Sequence, residues 1–182
     1  LYSPKIILPH FLGHAVSLIE ACCPKLDLII YDQQPDAPLK DSQPKDVGHK
    51  WIQMSLQDQD TAIALWCGIA CGQRLLPVPM TQDHMQLVLK RLEGRQHQII
   101  MMIGRKVSNK VHLKTVVSRA KFKRLSDLER KDLLNDQSLW QGKVGGCIGA
   151  PQQLRYITAL NGDPGALIGY SPYMLHNLMN TF

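Results

Sequence analysis

The segment Thr61–Ala70 reads TAIALWCGIA, a continuous apolar run with no polar alternation. A half-buried strand alternates, and an amphipathic helix repeats every three to four residues. An unbroken run of this length is the mark of a central strand covered on both faces. It commits the chain to a sheet with a layer on either side. The apolar stretch ends at Cys71 and contains Gly68, so it is too short to cross a bilayer, and no membrane contact is expected.

Helices and strands interleave around this run. Lys5–Leu8 is a short apolar strand that enters a loop from Pro9 to His14. The periodicity of Ala15–Cys22 predicts a helix with Leu18 and Ile19 inward. Leu26–Tyr31 is rich in β-formers. Pro44 opens a helix to about Gln57, since proline suits a first turn. Gln73–Leu76 continues extended. Thr81 caps a helix whose stripe is Met85, Leu87, Val88 and Leu92, and Gly94 stops it. Gln98–Ile103 and Val111–Phe122 form a hairpin turning at Ser108-Asn109. Ser126 with Glu129 is a capping box for a helix to Leu134. A glycine-rich loop (Gly142–Gly149), a strand (Tyr156–Leu160) and a closing helix (Ser171–Met179) complete an α/β order.

With 182 residues, 45% of them hydrophobic, the chain suits a single domain spanning 1–182 and has enough apolar material to exclude wholesale disorder. No basic stretch followed by an apolar core and a small-residue cleavage site opens the sequence, so no secretory leader is expected. The five cysteines are odd in number, and Cys22 and Cys23 are adjacent. They read as free thiols of a reducing, intracellular compartment, either cytoplasm or mitochondrial matrix. Cys67 and Cys71 lack zinc-knuckle spacing and sit in the buried strand, so no metal site is expected of them.

An ordered set of short motifs then carries a resemblance. Leu92-Glu-Gly-Arg-Gln-His97 and Phe122-Lys-Arg-Leu-Ser-Asp127 begin it. Trp140-Gln-Gly-Lys-Val-Gly-Gly146, Gly162-Asp163 and Ile168-Gly169 close it. In this order the chain resembles the Maf family, septum-formation-inhibitor-like nucleoside triphosphate pyrophosphatases. Pro38-Leu-Lys40 and Pro44-Lys-Asp46 look most like its alphaproteobacterial branch. The resemblance implies an elongated Maf/ITPase-like α/β fold, a twisted mixed sheet with flanking helices and a cleft between two lobes. It also implies cleavage of a nucleoside triphosphate to monophosphate and pyrophosphate with a divalent metal, and often a homodimer.

The resemblance fails where the family's chemistry resides. The family's Leu-Ala-Ser-x-Ser-Pro-Arg-Arg falls on Leu8-Pro-His-Phe-Leu-Gly-His-Ala15, so His10 and Leu12 replace serines and His14 and Ala15 replace arginines. Its Asp-Glu falls on Pro35-Asp36, and its helical Lys on Ser55 or Met54. Its Ala-Asp-Thr falls on Leu65-Trp66-Cys67 and its Lys-Pro on Val78-Pro79. Its Thr-Gly falls on Met101-Met102 and its Ile-Gln-Gly on Gly149-Ala150-Pro151. Hydrolysis at phosphorus needs carboxylates to hold Mg²⁺ and cations to hold the polyphosphate. Trp66 offers no oxygen ligand and Val78 no charge. The replacements run toward apolar side chains, as in a pocket filled by packing, because unpaired buried charges are costly. No catalytic residue, cofactor or metal ligand is expected, with Mg²⁺ entering only if activity persists.

Against this, His10, His14 and Asp36 read as ordinary loop residues, Arg95 and His97 as structural, and Gly145-Gly146 as a tight packing point. The segment Arg105–Arg124 contrasts with them. It holds Arg105, Lys106, Lys110, Lys114, Arg119, Lys121, Lys123 and Arg124, eight of the 21 cations, and no acid. Strand alternation puts Arg119, Lys121 and Lys123 on one face, with Ala120 and Phe122 on the other. These eight are candidate RNA or phosphate contacts, made to backbone rather than to bases. Three functions remain open. The leading one is a catalytically inactive pseudoenzyme serving as a structural or interaction subunit, with protein partners, of a larger assembly such as a mitochondrial ribosome or other ribonucleoprotein. The others are a residual pyrophosphatase and a nucleotide-binding sensor.

Overall fold

The computed structural model describes residues 5–22, 27–31, 43–146, 148 and 151–179. Its centre is a seven-stranded mixed sheet. Strands β1 (Lys5–Pro9), β2 (Asp27–Tyr31) and β3 (Thr61–Cys71) run parallel, with β1 between the other two. The short β4 (Arg74–Leu75) folds back on the end of β3. Next to β3 come β5 (Gln96–Val107), β6 (Lys110–Phe122) and β7 (Ile157–Asn161), each antiparallel to its neighbour. The parallel part needs crossovers, and α1 (Val16–Cys22) and α2 (Pro44–Leu56) lie on those connections.

β3 is buried along its length, as its composition requires, and only its two end residues are partly exposed. On one face, Trp66 packs against Gly48 of α2. The odd-numbered side chains of β3 divide between two groups. Ile63 and Leu65 join Ile6, Ile19, Leu175 and Leu178, the last two on α5 (Pro172–Met179). Ile69 meets Gly145, and Cys67 lies near the Gly169 turn. The helix α3 (Gln82–Leu92) packs on Gly146, and α4 (Asp127–Asn135) follows β6.

Local chemistry sets the ends of these elements. Thr81 accepts from the His84 amide and caps α3. Ser126 and Glu129 make the expected reciprocal capping box on α4. Lys106 reaches across from β5, and its Nζ donates to the carbonyls of Leu56 and Gln57 at 3.0 and 2.7 Å. It thereby satisfies open acceptors at the C-terminus of α2, where a cation also suits the helix dipole.

Three sequence expectations change. The segment before α1 is a 3₁₀ turn over His10–Ala15, so the α-helix starts at Val16. Leu18 does not face inward: it is 45% exposed, while Ile19 is buried. Leu87 is 56% exposed, and the buried stripe of α3 is Met85, Val88, Leu89 and Leu92. In both helices one leucine borders the apolar arc, and the sheet's position decides which neighbours it covers.

Candidate functional site

Of the described positions where family chemistry is expected, Leu12, Ser55, Trp66, Cys67, Met101 and Met102 are buried. Trp66, in the middle of β3, is 4% exposed. Its indole occupies a slot made by two glycines. A Cβ on Gly48 of α2 would stand 2.6 Å from one ring atom, and a Cβ on Gly68 only 2.4 Å from another. Cβ atoms do not approach that closely, so the ring fits only because both positions lack one. Met102 lies directly opposite Trp66 on β5, and its Sδ would also clash with a Cβ on Gly48. The slot closes around sulfur and carbon.

The neighbouring positions tell the same story. Ser55, one of the two residues aligned with the family's lysine, is 3% exposed and donates to the Ile52 carbonyl of its own helix at 3.0 Å. Leu12 is fully buried, and with Ile148 it presses on Gly169, near Cys67. Met101 pairs with Cys67 across the strands and shares that side of the sheet. Val78 is partly buried against the same core. The apolar replacements therefore do not gather at one point as a single filled pocket. Strand alternation sends Trp66 and Met102 toward α2 and Cys67 and Met101 to the opposite side, where Leu12 also packs near Gly169. All of them belong to one buried cluster. A hydrated Mg²⁺ needs an octahedron of oxygens, and these described positions offer an indole, two thioethers and branched alkyl groups instead, so they do not fit the ion.

The remaining family-like residues do structural work. His14 is half-buried and its Nε2 meets the Ile168 carbonyl at 3.0 Å, tying the first loop to the last, so it is more than a solvated loop residue. Trp140 is buried and its Nε1 donates to the Leu133 carbonyl at 3.0 Å. Lys143 bonds the Ser138 carbonyl within the same loop, and burial lowers its pKa. Gly145 and Gly146 carry positive φ and abut Ile69 and Met85, as tight packing requires. His97 is 2% exposed, and neither ring nitrogen has a hydrogen-bond partner at full geometry. Burial lowers its pKa to about 4, against a smaller upward pull from the Arg95 backbone. It shares the wall of a small internal cavity with Gln153, whose Oε1 is also unpartnered. Asp36 and Ala150 lie outside the described residues, as does the side chain of His10.

The basic run sorts into two groups. Arg119 and Lys121 are exposed and Ala120 and Phe122 buried, as alternation predicts. Lys123 does not stand free with them: it pairs with Glu129 at 2.6 Å, which holds the Glu129 carboxyl down at about 2. Lys106 is committed to α2, and Arg105 is only partly exposed. Lys110, Lys114, Arg119, Lys121 and Arg124 remain exposed. Arg95 is exposed, and its backbone bonds those of Leu92 and Phe122. The side chain lines a groove of ≈ 610 Å³ between α3 and α4, together with Lys90, Arg124 and Arg130. Nothing in the sequence pairs Glu93 with Arg130, yet they form a two-pronged ion pair, 2.9 Å at each contact.

No family model matches the chain. A dTTP/UTP pyrophosphatase of Wolbachia pipientis (subsp. Culex pipiens) is 24% identical over 186 residues, spanning 98% of this chain and 94% of that protein. A second from Wolbachia pipientis wMel is 26% identical over 85% of this chain and 82% of that one. A nucleoside triphosphate pyrophosphatase of Ehrlichia canis is 27% identical, over 63% of this chain, and the match spans 59% of that relative's length. Among solved structures, the Ham1 protein of Staphylococcus aureus superposes with a TM-score of 0.43 at 11% identity, covering 65% of this chain and 71% of that one. These relatives are bacterial, and none points to a mitochondrial ribosome. Order of motifs, spacing and these relatives agree: over most of its length the chain is similar to nucleoside triphosphate pyrophosphatases of the Maf type.

Proposed function

We propose that the chain is a non-catalytic relative of the nucleoside triphosphate pyrophosphatases, kept as a scaffold that binds other macromolecules. One observation carries the reading. Where the family has the acid of its central strand, this chain has Trp66, seated in a slot that exists only because Gly48 and Gly68 lack side chains. Two glycines and an indole form a mutually adjusted unit, and a carboxylate there would be buried against α2 without a partner. Losing one electrostatic contact in such a site costs about 10²–10³ in rate. Here several are replaced at once.

The relatives favour a second reading. The Wolbachia protein matched over 98% of this chain is a dTTP/UTP pyrophosphatase, which supports nucleotide hydrolysis by this chain. One experiment separates the two. The purified, folded chain is incubated with dTTP, UTP and the remaining nucleoside triphosphates with Mg²⁺ or Mn²⁺, and pyrophosphate is measured. The non-catalytic reading expects none above a no-protein blank. Release from any nucleotide that scales with protein overturns it and establishes the second. Thermal unfolding with the same nucleotides addresses the sensor alternative, and no shift is expected.

A further inference from the structure

We propose that the groove between α3 and α4 is a docking site for the phosphate backbone of single-stranded nucleic acid. It stands apart from the non-catalytic reading and would hold whether or not the chain cleaves nucleotides. The groove is lined by four cations and one acid. The acid, Glu93, is already held by Arg130, which also bonds Asp127 at 2.8 Å. Among the described residues, Lys90, Arg95 and Arg124 have no acidic partner. They come from three separate elements: the end of α3, the turn into β5 and the segment after β6. Arg124 lies over the Gly94 turn, its Nε 3.8 Å from where a Cβ on Gly94 would stand, and both it and Arg95 line the groove.

The form of the groove decides among anions. A small phosphorylated ligand needs enclosure and buried polar partners. Here Lys90, Arg95 and Arg124 are exposed and the groove is open. Such an array gains most from a chain of phosphates that releases counterions along its length. Planar guanidinium groups match phosphate oxygens in pairs. Leu89 and Leu134 supply an apolar floor, and no aromatic side chain lines the groove, so contact is to backbone without base stacking. Arg119 and Lys121 sit a few residues before Arg124 on β6 and are also exposed, extending the charge beyond the groove.

The test is fluorescence anisotropy of a labelled oligouridylate of about 12 nucleotides, a length in the range of known single-strand sites, titrated at several salt concentrations. Arg95→Glu with Arg124→Glu should weaken binding at least about tenfold and lower the slope of log K against log salt by about 1.5, as loss of two phosphate contacts requires. The same charge change at the far end of the hairpin, Lys110→Glu with Lys114→Glu, should cost less than about twofold. Arg95→Gln with Arg124→Gln serves if charge reversal disturbs folding. No binding by the wild type, equal losses in both double variants, or polyglutamate of equal charge binding as tightly would each overturn the proposal.

Discussion

Trp66 and the α3–α4 groove are opposite solutions to the presence of a hollow. At Trp66 the hollow is removed: two glycines admit an indole, and the space becomes core. In the groove the hollow is kept, and three of its four cations, Lys90, Arg95 and Arg124, are exposed with no acidic partner among the described residues, while Arg130 is held by Glu93 and Asp127. The first arrangement contributes to stability and gives up a place for charge. The second contributes little to stability and keeps charge available.

The most severe way to break this contrast is Trp66→Asp, which restores the family's acid. It removes a buried indole and places a carboxylate where no partner waits, so it should destabilise by about 4 kcal/mol or more in urea unfolding. A variant of wild-type stability that released pyrophosphate would show that the slot is not what holds this region. Next is His97, buried neutral beside Ile99 and Gln153. Its folded pKa of about 4 lies below the ordinary 6.5, so the unfolded chain binds the proton more readily. Its contribution is fully present above pH 6.5 and is lost as pH falls toward 4, by up to about 3 kcal/mol. Urea midpoints at pH 7 and 4.5 should separate more for the wild type than for His97→Leu, and equal separation would sink the assignment. Smallest is the groove itself. Arg95→Gln with Arg124→Gln should change unfolding free energy by less than about 0.5 kcal/mol per substitution. A larger loss would mean that these arginines are structural.

Much of the fold was legible because its signals are local or periodic. The unbroken run at Thr61–Ala70, the Thr81 cap and the Ser126–Glu129 box each act within a few residues, and each led to the observed element. The misreadings at Leu18 and Leu87 arose at the margins of apolar arcs, where only the packed neighbour decides exposure. At the site, the sequence suggested an alignment that sets Trp66, Val78, Met101 and Met102 at the family's polar positions. It did not reveal that Trp66 and Leu12 turn to different sides of the sheet, since that follows from β3's place between α2 and the Gly169 turn.

By itself, then, the sequence determined the kinds of elements and their order, because composition and spacing act through the chain's own covalent geometry. The tertiary structure decided which distant residues meet. Gly48 and Gly68 form a slot only when α2 lies on β3, and Glu93 meets Arg130 only when α4 packs beside α3. Contacts between residues far apart in the chain are set by how layers stack, and no local pattern encodes that distance.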